Sequence, residues 1–111
     1  MKLSFHEYGP VVVLTLSGEF TADDVGQFER VVQERMAAGA KHVMLNCEFL
    51  DFIDSKGLES WLRVRDQVVE RSGQVRLIAP EANIEKILEI TRQDKSFEIL
   101  PSLESAVRSV R

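Results

Sequence analysis

The feature that most constrains this chain is the way its apolar residues change period. Val11-Val12-Val13-Leu14 is a continuous, mostly β-branched run, as expected of a strand covered on both faces. Further on, Val25, Phe28, Val32 and Met36 recur at helical spacing instead. The alternation then repeats to the end of the chain. Leu3–Tyr8 and Val11–Ser17 read as two strands parted by Gly9-Pro10, a turn signal that makes a hairpin. Thr21 and Asp24 fit a capping box that starts a helix at Ala22, and Gly39 ends it. His42–Cys47 reads as a buried strand. A helical pattern returns at Leu58, Trp61, Leu62, Val68 and Val69 and stops near Gly73. Gln74–Ala79 is a strand, and Pro80 begins a helix with Ile84, Ile87, Leu88 and Thr91 on one face. Phe97–Leu100 is a short strand, and Pro101-Ser102 opens a last helix through Leu103, Val107 and Val110. The order β-β-α-β-α-β-α-β-α predicts an α/β fold, a mainly parallel mixed sheet with an N-terminal hairpin and about four helices packed on it.

At 111 residues, with 44% hydrophobic and 29% charged residues, the chain is expected to form one domain over 1–111. Its net charge of -4 comes from interspersed charges, so neither a nucleic-acid patch nor a basic membrane-binding face is expected. The single Cys47 has no partner for an internal disulfide, which points to a reducing compartment. The N-terminal "MKLSFHEYGP" has no apolar core of a signal sequence, and no apolar run approaches membrane-spanning length. The expectation is a cytoplasmic protein with no direct membrane insertion, able to work against a membrane-associated partner.

The stretch "DFIDSKGLE", Asp51–Glu59, carries the chemistry. Sites in open α/β sheets gather at the carboxyl ends of strands, and Ser55 lies just beyond the third strand. Two readings of Ser55 stand on the residues alone. Serine and aspartate are preferred helix caps, because their side-chain oxygens accept from unpaired backbone N–H groups. A phosphate there would instead add about −1.5 to −2 charge and three acceptor oxygens. The helix dipole and Lys56 would receive that charge, and Gly57 would leave the backbone approachable by another protein. The protein's charge would move from -4 to roughly −6, with the fold intact.

Other chemistry finds little support. A phosphoaspartate receiver needs an acidic pair after an early strand and a lysine after the last. Here those strands run into Ser17-Gly18-Glu19 and Leu100-Pro101-Ser102, so Asp51 and Asp54 do not make that site. Cys47 reads as a small buried hydrophobe and Trp61 as core packing. His6 and His42 have no metal-ligand spacing to any partner. No phosphate-cradling loop or nucleophile elbow is present, so no catalytic residue, metal or cofactor is expected.

Taken together, "LSGEFTADD", "HVMLNCEFLDFIDSKGLESWLRVRDQV" and "QVRLIAPEANIEKILEI" resemble the STAS domain family, the anti-sigma factor antagonists of bacteria, over nearly the whole chain. The family typically shows Asp, Ser, Ser or Thr, then Gly-Leu, and Asp54, Ser55, Gly57 and Leu58 match. The resemblance implies that Ser55 is the phosphorylated serine of a partner switch. Unphosphorylated protein would bind an anti-sigma factor that is also a serine kinase, and so free the sigma factor for transcription. The kinase would phosphorylate Ser55 from its own ATP and weaken the complex, and a separate serine phosphatase would reset it. Glu19, Thr21, Asp54, Lys56 and Gly57 would form the partner surface. Lys56 stands where the family usually has a second hydroxyl residue, and Thr21 where switch members commonly carry an aspartate. The alternative within the family is an unphosphorylated scaffold subunit of a lipid-transport or sensory complex.

Overall fold

The structure, a computed structural model, describes residues 1–109. Strand β1 (Lys2–Tyr8) pairs antiparallel with β2 (Val11–Phe20), closing the hairpin signalled by Gly9-Pro10. A 3-10 turn at Ala22–Asp24 leads into helix α1 (Val25–Ala37), and β3 (His42–Ile53) then pairs parallel with β2. Helix α2 (Ser55–Glu70), β4 (Val75–Ile78), α3 (Ala82–Ile90), β5 (Glu98–Leu100) and α4 (Leu103–Arg108) follow. The strands lie in the order β1-β2-β3-β4-β5, with β3, β4 and β5 in parallel register. This is the expected mixed α/β architecture. Val110 lies outside the described residues.

The sheet is covered unequally. Alternate residues of β2, Val12, Leu14 and Leu16, point into the main core with Phe28, Val32, Trp61, Val64, Ile84 and Leu88 from α1, α2 and α3. Val11 and Val13 point the other way and meet Met44, Ile78 and Ala106, so α4 covers one end of the second face. That two-sided burial is why Val11–Leu14 carries no polar alternation. Burial of the Trp61 ring beside Phe20 and Phe97, at centroid distances of 6.2 and 6.1 Å, anchors the centre of the main core.

Several boundaries differ from the sequence reading. β2 continues to Phe20 and β3 to Ile53, well past Ser17 and Cys47. Gly18-Glu19 and Glu48 interrupt the apolar pattern, yet the β2–β3 ladder carries through them with register shifts at Thr15/Ser17 and Gly18/Glu19. α2 begins at Ser55 rather than Leu58, because its first turn is set by a cap and not by apolar spacing. The helix expected at Ala22 opens as one 3-10 turn. The Asp24 carboxylate reaches back to accept the Thr21 N–H at 3.0 Å and the Thr21 hydroxyl at 3.3 Å. α3 starts at Ala82 rather than Pro80, with Glu81 as its cap residue.

The far end of the sheet holds a pH-sensitive link. The Gln74 N–H donates to His42 Nδ1 at 3.1 Å, which requires a ring nitrogen without a proton. Burial first, then the charges of Lys41 and Arg76, lowers the His42 pKa below its ordinary value of 6.5. The folded pKa is depressed, so the unfolded chain binds more protons, and stability falls as pH drops through the folded value. Urea midpoints at about pH 7.5 and about pH 5.5 are expected to differ more for wild type than for His42→Asn, which keeps an acceptor without titrating.

Candidate functional site

Asp54 organises the carboxyl ends of β2 and β3. Its backbone is extended, and its Oδ1 accepts the Gly57 N–H at 2.8 Å, making it the N-cap of α2. Oδ2 accepts the Ala22 N–H at 3.0 Å, from a loop far away in sequence. The Asp54 N–H donates to the Phe20 carbonyl at 3.1 Å, and its own carbonyl accepts from Leu58 at 3.0 Å. One residue therefore fixes both the β2–α1 turn and the first turn of α2. The cap is Asp54 and not Ser55, which corrects the capping reading of the serine. Ser55 is instead the first helical residue, and its side chain is exposed.

Lys56 is also exposed and reaches Glu59 at 3.4 Å, a surface pair that contributes little to stability. Gly57 is buried, which corrects the idea that it opens the backbone to an approaching protein. A Cβ there would lie 2.4 Å from Phe20 Cδ1, 2.8 Å from Ile53 Cγ1 and 2.9 Å from the Phe20 carbonyl oxygen. The missing side chain admits the core, drawing α2 down onto the end of β2. Thr21 is half-buried at the start of the 3-10 turn. Glu19 is exposed and pairs with Phe52, so it stands on the face of the sheet away from α2.

Ser55 borders an open groove of about 260 Å³ between α2 and α3. Its apolar walls come from Ile53, Leu58, Leu62 and Ile87, and Asp54 and Glu59 stand at the rim beside Ser55. On the other side of α2, the Ser60 hydroxyl donates to Glu29 Oε2 at 2.7 Å and Arg63 pairs with the same oxygen at 2.8 Å. The Arg63 bond lowers the Glu29 pKa and outweighs the opposing effect of its partial burial. Neither this latch between α1 and α2 nor the reach of Asp54 to Ala22 was signalled by the sequence, because each joins residues about thirty apart.

The remaining candidates are inert. Burial raises the Cys47 thiol pKa to about 12, so the thiolate needed for nucleophilic chemistry does not form near neutrality. Among the described residues, no group of three His, Cys, Asp or Glu side chains is gathered as a metal site would need. No helix among them is long and apolar enough to cross a membrane.

Comparison with known proteins matches this arrangement of sheet, turn and helix to one family model, the STAS domain, over residues 2–106. The chain belongs to the STAS domain family. It is 24% identical over its full length to BtrV of Bordetella bronchiseptica, a protein named as an anti-sigma factor antagonist, and spans 96% of it. Its fold is similar to that of the Thermotoga maritima protein TM1081, with a TM-score of 0.89, 21% identity and coverage of 98% of this chain and 94% of that one. It is similar also to the anti-sigma factor antagonist SpoIIAA in its unphosphorylated form, with a TM-score of 0.86, 22% identity and coverage of 99% and 96%. The phosphorylated form of SpoIIAA, from Bacillus, matches at a TM-score of 0.79, again at 22% identity, over 99% and 100%. The STAS resemblance read from "FIDSKGL" is thus borne out, together with the fold it implied.

Proposed function

We propose that residues 1–111 form one STAS domain that acts in the cytoplasm as an anti-sigma factor antagonist, switched by phosphorylation of Ser55. The observation that carries this reading is the division of labour between Asp54 and Ser55. Asp54 supplies the cap, so the Ser55 hydroxyl is exposed and free of any duty in the fold. Its place at the first turn of α2 suits a phosphate, because unpaired N–H groups and the helix dipole face that position. The SpoIIAA relative, known in unphosphorylated and phosphorylated forms with similar folds, supports a switch that acts without refolding.

In this reading, the unphosphorylated protein binds an anti-sigma factor that is also a serine kinase. The partner surface comprises Thr21, Asp54, Ser55 and Lys56 around the first turn of α2, with Glu19 on the adjoining strand end. Gly57 contributes by seating that turn against Phe20 rather than by contact. The kinase transfers the terminal phosphoryl group of its ATP to Ser55 Oγ, releasing ADP and the hydroxyl proton. The phosphate dianion then stands at the rim of the apolar groove between α2 and α3. A partner covering that groove would have to strip water from a dianion that the helix terminus and Lys56 offset only in part, which is costly. A separate serine phosphatase hydrolyses the phosphate and resets the switch.

Ser55→Ala tests this directly, since it removes the acceptor atom and no hydrogen bond of the cap. Captured from native cells, the variant is expected to retain its kinase partner when ATP is added, whereas wild type is released. Release of both to the same extent would mean that Ser55 is not the switch.

A further inference from the structure

β3 outlasts β4. Their pairing ends at Asn46 opposite Ile78, so the stretch from Cys47 to Ile53 has only β2 beside it as a paired strand. Within that projecting end, Leu50 and Ile53 pair with Gly18 and Phe20 and enter the main core. Phe49 and Phe52 pair with Ser17 and Glu19 and therefore face the other side of the sheet. The small cluster under α4 involves Val11, Val13, Met44, Ile78 and Ala106, and does not extend to them. The two rings remain 55% and 42% exposed, among the most exposed large apolar side chains of the protein.

The charge on the two projecting strand ends has one sign. Residues 11–29 contain no lysine or arginine, and neither do residues 43–55. Glu19, Glu48 and Asp51 are exposed on the two projecting strand ends, and the nearest cation by pairing is Lys2, opposite Ser17 on β1. Two aromatic rings framed by three carboxylates make a surface with a definite complement.

We propose that the projecting ends of β2 and β3 form a docking surface for a protein segment that presents apolar side chains flanked by lysine or arginine. The rings supply desolvated contact area of the kind that anchors interfaces. Glu19, Glu48 and Asp51 select the sign of the partner and its approach. Nucleic acid and anionic lipid bring the same charge as the carboxylates and are repelled. A second copy of the chain would set acid against acid across a two-fold axis, so self-association is disfavoured as well. The two rings face away from the core under α2, and although Glu19 is shared with the partner surface proposed above, the inference rests on Phe49, Phe52, Glu48 and Asp51 and stands whether or not Ser55 is phosphorylated.

The test uses the full chain and a synthetic peptide of alternating leucine and lysine, with an alternating leucine–glutamate peptide as control. Titration followed by amide NMR is expected to give saturable shifts at Ser17–Phe20 and Glu48–Ile53 with the lysine peptide only. Phe49→Ser with Phe52→Ser is expected to weaken that binding about tenfold or more while leaving the chain folded, since neither ring enters the buried core and about half of each is solvated. Glu48→Lys with Asp51→Lys, which leaves the rings in place, is expected to abolish the preference for the lysine peptide. Shifts elsewhere, affinity unchanged in the double serine variant, or equal binding of the two peptides would overturn the proposal. So would concentration-dependent shifts of the same amides in the protein alone, because the occupant would then be a second copy.

Discussion

Gly57→Ala is expected to lower stability by about 2 kcal/mol and the melting temperature by about 10 °C, the scale of an overpacked core in a small domain. In an exposed helix the same change would stabilise by up to about 1 kcal/mol, because alanine is the better helix former. The sign reverses here because the added methyl group has nowhere to go. Phe20 Cδ1 is 2.4 Å away, and the ring cannot swing aside, since it is fully buried at 4.9 Å from the Phe28 ring and 6.2 Å from Trp61. The Phe20 carbonyl at 2.9 Å is backbone, and it also receives the Asp54 N–H. Relief therefore means lifting the first turn of α2 off β2, which displaces Asp54 and Ser55 together. Thermal melts give the stability change, and loss of binding to the proposed kinase partner alongside it would show that the turn's position matters for recognition. A variant as stable as wild type would mean that α2 is not seated as tightly as the geometry indicates.

Ser55→Asp is the second large effect, and it separates function from folding. The substitution places a carboxylate at the first helical residue, where the dipole favours it by about 0.3–1 kcal/mol at an exposed position. Asp54 keeps its bonds to Gly57 and Ala22, so the melting temperature is expected to stay the same or rise slightly. Affinity for the proposed anti-sigma kinase is expected to fall about 100-fold, consistent with about 2–5 kcal/mol for an unpaired charge in an interface. Titration calorimetry against the captured partner measures this. Affinity equal to wild type would refute a switch based on charge at Ser55, and lost affinity accompanied by a lowered melting point would trace the effect to damage of the turn.

The architecture was legible because it is written in short-range patterns. The apolar run Val11–Leu14 and the helical spacing of Val25, Phe28, Val32 and Met36 are direct images of two-sided strand burial and one-sided helix burial. The site was legible only as a motif. Asp54, Ser55 and Gly57 stood out in the sequence, but their duties did not follow from it. Asp54 and Ser55 are both good caps by residue type, and only the extended backbone at Asp54 decides between them. Gly57 looked like an opening because glycine permits approach from either side, and which neighbour uses the space depends on where β2 ends. Phe49 and Phe52 fall beyond Cys47, where the sequence reading ends the strand. They are exposed because the cover on their face of the sheet reaches only Val11, Val13, Met44 and Ile78, a fact of tertiary packing with no trace in the local pattern.

Intact mass with phosphosite mapping, on protein purified from its native cells, tests the central claim most directly. The account predicts a fraction carrying the mass of one phosphate, located on Ser55, that disappears in Ser55→Ala. Ser55 unmodified under every growth condition in which the protein is made would contradict it, and would leave a STAS scaffold in which Lys56 and Thr21 mark the loss of the switch.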